Sequence, residues 1–139
     1  MRALIPEDLE QWIRRAPGLD QALGIAVTEV SRSRVRCRVS VTAAHLQPGG
    51  IVHGGLYCTL VETAASIGAQ LYAMERSARA VGIENSTSFL RAVVEGELEA
   101  VATPIATGRT THLWEVLVKD EQGHLAAMGK VRLMILGEA

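Results

Sequence analysis

At 139 residues, 48% hydrophobic and 21% charged, the chain has the apolar content of one folded domain and not of a disordered segment. Its net charge of −1 is spread along the chain and aromatic residues make up only 4%, so no nucleic-acid partner that needs a basic surface or stacked bases is expected. Cys37 and Cys58 form neither a disulfide framework nor a zinc spacing, and both read as reduced thiols of a cytoplasmic protein.

Residues 1–22 read as an N-terminal helical segment, and the first eight lack the apolar stretch of a secretory leader. Within it, Pro6 to Arg15 is predicted as a short helix, with proline in the first helical position, Glu7 and Asp8 in the first turn and arginines in the last. Leu9, Trp12 and Ile13 share one face, which is expected to dock on the domain body. From Ile25 to Val41 the pattern is strand-like: Val35, Cys37, Val39 and Val41 alternate with Arg34, Arg36, Arg38 and Ser40. The arginines then line one sheet face, read as a solvated face in preference to a phosphate site.

Residues 42–53 form a loop through Pro48, Gly49 and Gly50, and 54–74 is the predicted central helix. The run from Leu56 to Met74 is too long for a strand and lacks its alternation. Its polar positions, Thr59, Glu62, Thr63, Ser66 and Gln70, fall on a single stripe, so the helix is expected to be buried nearly all round. Glu62, Gln70, His53 and several hydroxyls argue against a lipid-spanning segment, and no membrane partner is expected. Strands follow at about 79–91, 96–107, 110–119 and 124–136, the last two joined through Asp120-Glu121-Gln122-Gly123. Strands this close together, without crossover helices, run mostly antiparallel. The fold class is therefore α+β: one domain over 1–139, an antiparallel sheet of about five strands wrapped around one long central helix. Such a sheet leaves edges, and pairing through an edge strand is the natural route to a homodimer.

Glu62 is the one charge on that helix, and a lone carboxylate there is costly to bury without compensation. Gly54 and Gly55 open the helix, where free backbone N–H groups can hold an oxyanion and glycine admits a close substrate approach. Glu62 and Ser66, at i and i+4, can reach one small volume. Together with Gln47 and His53 the set suits acyl transfer to water. The plain alternatives are a satisfied structural carboxylate at Glu62, a loop-packing His53, a backbone-bonded Ser66 and a Gln47 that closes its own loop. His45, His112 and His124 show no metal-like spacing, so they are expected at the surface and no metal site is expected.

Gln47-Pro48, His53-Gly54-Gly55, Glu62 and Ser66 resemble the active-site segment of hotdog-fold acyl-CoA thioesterases in the PaaI-like superfamily. The likeness is to the branch of 4-hydroxybenzoyl-CoA and 1,4-dihydroxy-2-naphthoyl-CoA thioesterases with a helix glutamate. Residues 80–91 resemble the family's central strand, and 108–116 with 120–123 its next hairpin; the resemblance spans about 20–136. It implies that Glu62 is the catalytic carboxylate, nucleophile or general base. The Gly54 amide would polarise the thioester carbonyl with help from Gln47, His53 would orient the site, and Ser66 would position the hydrolytic water. Gly55, Arg91, Arg109, Thr110 and Thr111 would contact substrate, the arginines meeting CoA phosphates, although surface or interface charges are the plainer reading of both arginines. It also implies an acyl-CoA substrate, no cofactor beyond the CoA that is part of that substrate, and a homotetramer of dimers with sites between subunits.

The function expected is thus hydrolysis of aryl or other bulky acyl-CoA thioesters, such as hydroxybenzoyl-, phenylacetyl- or dihydroxynaphthoyl-CoA. The rivals are a non-catalytic acyl-CoA or small-ligand binding protein on the same fold, and a thioesterase for medium- or long-chain acyl-CoA or acyl-carrier protein. A dehydratase on this fold would need a different histidine-plus-acid pattern, which is not found here.

Overall fold

One long helix, α3 (Gly54–Met74), lies on a six-stranded antiparallel sheet in this computed structural model, whose described residues are 5–15 and 18–137. In chain order the other elements are α1 (Glu7–Ile13), α2 (Leu19–Leu23), β1 (Ala26–Val30), β2 (Val35–Ser40), β3 (Arg79–Phe89), β4 (Glu97–Thr107), β5 (Thr111–Lys119) and β6 (Leu125–Leu136). Strand order is β1-β2-β4-β5-β6-β3. After β2 the chain passes through α3 to the far edge for β3, and then returns beside β2 with β4.

Period-2 alternation decides which face is covered. Val35, Cys37 and Val39 of β2, Leu98, Ala100 and Ala102 of β4, and Trp114, Val116 and Val118 of β5 all point inward and are buried. They meet Leu60, Val61, Ala64, Ala65 and Ala69 of α3 in one core. Small helix residues allow the close approach. At Gly68 an added Cβ would stand 2.5 and 2.6 Å from the ring of Trp114, which is fully buried.

Six strands replace the expected five because residues 25–41 are two strands. Between them Ser31 and Arg34 close a turn: the Ser31 N–H donates to the Arg34 carbonyl at 2.8 Å, and the Arg34 N–H donates to the Ser31 hydroxyl at 3.1 Å. Ser-Arg-Ser-Arg is polar throughout, so alternation carries no mark of the turn. The arginine face is solvated, as expected, and its charges are committed. Arg34 and Arg36 bind Glu29 at 2.9 and 2.8 Å, while Arg36 and Arg38 bind Glu99 at 2.7 and 2.9 Å. The Arg34 hydrogen bond, only partly opposed by burial, holds the Glu29 carboxyl below its usual range. The later strands begin and end within two residues of their predicted limits.

Two histidines expected at the surface are buried, His45 at 6% exposure and His112 at 4%. His45 Nδ1 accepts the Thr42 N–H at 2.8 Å and Nε2 donates to the Leu23 carbonyl at 2.7 Å, stapling the 42–53 loop to the end of α2. His112 packs edge-on against Tyr72, with centroids 5.2 Å apart, and its Nδ1 accepts the Trp114 indole N–H at 3.2 Å. Ligand spacing says nothing about such roles. His124 is exposed, as expected. On α1, Leu9 is fully buried and Ile13 half-buried, but Trp12 stays 38% exposed; Pro6 is the N-cap and not the first helical residue. Those parts of the 1–22 reading that fall on residues 1–4 and 16–17 lie outside the described residues.

At the sheet edge, β3 is eleven residues long and hydrogen-bonds only to β6. Val81, Ile83 and Phe89 on it are 41%, 55% and 55% exposed. A long edge strand with exposed apolar residues is a surface that proteins cover or pair.

Candidate active site

Helix α3 starts as the sequence predicts. His53 is its N-cap, the ring Nδ1 accepting the Gly55 N–H at 2.7 Å and the carbonyl accepting the Leu56 N–H at 3.0 Å, so two of the first-turn amides are already taken. The predicted polar stripe divides into three roles. Thr63 and Gln70 are buried: Thr63 donates to Asp20 at 2.5 Å and Gln70 accepts the Ala80 N–H at 2.9 Å. Thr59 donates to the Gly55 carbonyl at 2.8 Å. Glu62 and Ser66 remain half-buried on the flank that β3 crosses.

There the carboxylate has a donor on each oxygen. Ser66 Oγ donates to Glu62 Oε1 at 3.3 Å, and Asn85 Nδ2 donates to Oε2 at 3.1 Å. Gly82 lets β3 pass over the acid, since a Cβ there would penetrate Oε1 and stand 3.2 Å from Cδ. A bulge between Gly82 and Glu84 shifts the register, and beyond it Asn85 reaches the helix. Asn85 and Gly82 are absent from the sequence-based set. A glycine inside a strand pattern marks close backbone approach, and that was the available signal for Gly82. Nothing in the sequence marks Asn85.

Gly54 and Gln47 lie elsewhere. They border a cleft of about 390 Å³ with Tyr57, Phe89 and Arg91. Gln47 Oε1 accepts the Gly49 N–H, so the side chain does close its own loop. The Phe89 ring lies flush on Gly54, where a Cβ would be 2.6 Å from it. Tyr57 packs against Phe89 with centroids 5.9 Å apart; its buried hydroxyl has no partner among the described residues, and burial, then Asp120, push it up. Along the helix axis, eight residues separate Gly54 from Glu62 by about 12 Å. Within one chain the expected amide and carboxylate therefore do not converge.

The remaining candidates also fall into two groups. Arg91 borders the Gly54 cleft, exposed and 3.8 Å from Asp120. Arg109 lies at the opposite end of α3, beside Tyr72, Glu75 and Arg76, its carbonyl accepting from Arg76 at 2.9 Å. Exposed Thr110 and Thr111 follow it into β5. Of the thiols, Cys37 is buried and pushed up to about 12, first by burial and then by Asp20, so it is inert; Cys58 is half-buried. Among the described residues no cluster of His, Cys, Asp or Glu could hold a metal, and no helix is long and apolar enough to cross a membrane.

A carboxylate bonded through both oxygens beside an edge strand, and the Gly54 amide at the start of the same helix, are groups of the kind that acyl transfer uses. Known proteins carry the same combination of fold and sequence. Residues 49–127 match the thioesterase superfamily. The proofreading thioesterase EntH of Cronobacter sakazakii is 33% identical over 115 residues, 83% of each chain. The 1,4-dihydroxy-2-naphthoyl-CoA hydrolase of Listeria monocytogenes is 30% identical over 118 residues, 85% of this chain and 95% of that one. A solved thioesterase structure from Haemophilus influenzae superposes with a TM-score of 0.85 at 26% identity, covering 99% of this chain and 96% of its own. With the glycine turn, the long helix and all of β3 to β5 inside the matched span, the chain belongs to the thioesterase superfamily of hotdog-fold thioester hydrolases.

Proposed function

We propose that the chain hydrolyses acyl-CoA thioesters carrying aryl or other bulky acyl groups, hydroxybenzoyl-, phenylacetyl- and dihydroxynaphthoyl-CoA being the model substrates. The observation that carries this reading is Glu62: half-buried, bonded through both oxygens, and on the flank of a helix whose other polar side chains are spent on structure. The Gly54 amide polarises the thioester carbonyl and holds the oxyanion, with Gln47 beside it and Gly55 next to it contacting the substrate. Glu62 either takes a proton from water as that water attacks the carbonyl carbon, or attacks the carbon itself and is then released by water. In both routes the C–S bond breaks, the sulfur leaves as the CoA thiol after gaining a proton, and the acyl group leaves as the carboxylic acid. Ser66 positions the water and His53 keeps the helix start in register. No cofactor is required beyond the CoA of the substrate.

The roughly 12 Å between Gly54 and Glu62 supports a site made by two copies. Two β3 edges paired about a two-fold axis would lay the α3 helices side by side and antiparallel. The Gly54 end of one helix would then approach the flank of its neighbour, and Arg91 would share a surface with the neighbour's Arg109, Thr110 and Thr111, where the CoA phosphates would bind. Exposed Val81 and Ile83 fit such a homodimer, and a pair of dimers gives the homotetramer. Two unpaired cysteines fit a cytoplasmic location.

Benzoyl-, phenylacetyl-, naphthoyl- and straight-chain CoA esters, followed by thiol release, test the reading. Hydrolysis of the aryl esters is expected, as is its loss in Glu62→Gln with fold and oligomer intact. Thiol release from none of the esters, with CoA still bound, would instead assign a binding role.

A further inference from the structure

We propose that Asn85 is a positioning residue for Glu62: it fixes the carboxylate against β3, so that the geometry of the edge strand sets the geometry of the acid. The proposal rests on Glu62 being the reacting carboxylate. Asn85 is fully committed. Its Nδ2 donates to Glu62 Oε2 and to the Cys58 carbonyl, both at 3.1 Å, and its Oδ1 accepts from Thr87 Oγ1 at 2.7 Å. The opposite amide orientation would set Oδ1 against a carboxylate and a carbonyl, two acceptors, so the network itself fixes which way the side chain faces.

The anchor points matter. Cys58 and Glu62 are four residues apart on α3, one turn, so a single amide holds the acid relative to its own helix backbone. Ser66, the donor on the other oxygen, belongs to α3 and moves with it, and its bond is longer at 3.3 Å. Among the described residues Asn85 is the one side chain of the sheet that donates to Glu62. Asparagine is a poor strand former, and this one sits at the middle of the edge strand just past its bulge. A residue that weakens its own strand and is spent on the neighbouring acid is placed there for the acid.

The test uses the full chain with Asn85→Leu, which keeps the side-chain shape and removes both donors, and Thr87→Val, which removes only the hydroxyl that orients the amide. Turnover of whichever CoA ester the wild type hydrolyses is measured together with the 13C resonance of the Glu62 carboxylate, assigned by its absence in Glu62→Gln. Asn85→Leu is expected to lower kcat by about ten- to a hundredfold, the effect of one charge-assisted hydrogen bond, with KM changed less than about twofold. Thr87→Val is expected to lower kcat by a smaller factor, and the Glu62 resonance is expected to move in both. Wild-type kcat and an unmoved resonance in Asn85→Leu would overturn the proposal. If Asn85→Leu does not fold, the same two readouts on Thr87→Val decide. If the wild type hydrolyses no ester, the hydrolase reading fails, yet the resonance still shows whether Asn85 holds the carboxylate.

Discussion

Gly82→Ala separates the reacting geometry from the fold. The new Cβ would overlap Glu62 Oε1 and lie 3.2 Å from Cδ and 3.6 Å from Oε2. To regain van der Waals contact the carboxylate must retreat by about 1 Å. Its hydrogen bonds, already 3.1 and 3.3 Å long, then stretch past useful length. A misplacement of about 1 Å at a reacting group can lower turnover about a hundredfold. Stability responds differently. Gly82 is not among the residues with left-handed backbone, so alanine fits, and restricting the unfolded chain stabilises by about 0.4–1 kcal/mol. Loss of two hydrogen bonds at a half-exposed carboxylate offsets that by a similar amount, leaving the melting temperature close to wild type. Thiol-release kinetics and thermal melts on the same preparation read both quantities. Unchanged kcat in a folded Gly82→Ala protein would refute the account of why glycine stands under the acid, and a large fall in melting temperature would make it a folding glycine.

Gly68→Ala tests the opposite case. Alanine raises helix propensity by about 1 kcal/mol, but its Cβ meets the fully buried Trp114 ring at 2.5 Å, and overpacking a core costs about 1–3 kcal/mol. A net destabilisation of up to about 2 kcal/mol in urea denaturation is expected; a stabilised variant would mean that the ring moves freely. The pH dependence of stability should carry the mark of His112, which burial, and then Arg76, hold below its ordinary value of 6.5. Well above 6.5 the ring is neutral in both states and its stabilising effect is complete. As pH falls, the unfolded chain takes up the proton first, and stability is lost until the folded ring also titrates. The melting-temperature gap between wild type and His112→Gln should therefore narrow as pH falls through 6.5; a constant gap would refute the assignment.

Much of the fold was legible because the two periods are clean. The β5 strand alternates Trp114, Val116 and Val118 with Leu113, Glu115 and Leu117, and the buried set is the first. Helix α3 was legible at its start because a glycine-rich turn runs straight into a long apolar segment without strand alternation, whereas the capping role of His53 was not. The β1–β2 turn was not, because its residues are polar on both strand faces. Nor were the buried histidines: His45 is held by a carbonyl 22 residues away, and no local pattern encodes that bond.

The site was legible in part, for a reason its geometry explains. Sequence places Glu62, Ser66, Gly54, His53 and Gln47 within twenty residues, which invites the inference that they share one volume. A helix turns closeness in sequence into separation in space. Neighbours one turn apart meet, as Ser66 and Glu62 do at 3.3 Å, whereas eight residues put about 12 Å between Gly54 and Glu62. What does meet the acid comes from 20 and 23 residues further along the chain, Gly82 and Asn85 on an edge strand. Mutations at that strand should therefore disturb Glu62 more directly than those at the glycine turn, although the turn carries the more recognisable motif. If the two β3 edges pair, a substitution that blocks pairing without touching the acid, such as Ile83→Lys, should abolish turnover along with the dimer. A fully active monomer would overturn the two-copy site and require Gly54 and Glu62 to act on one thioester from opposite ends of two helical turns.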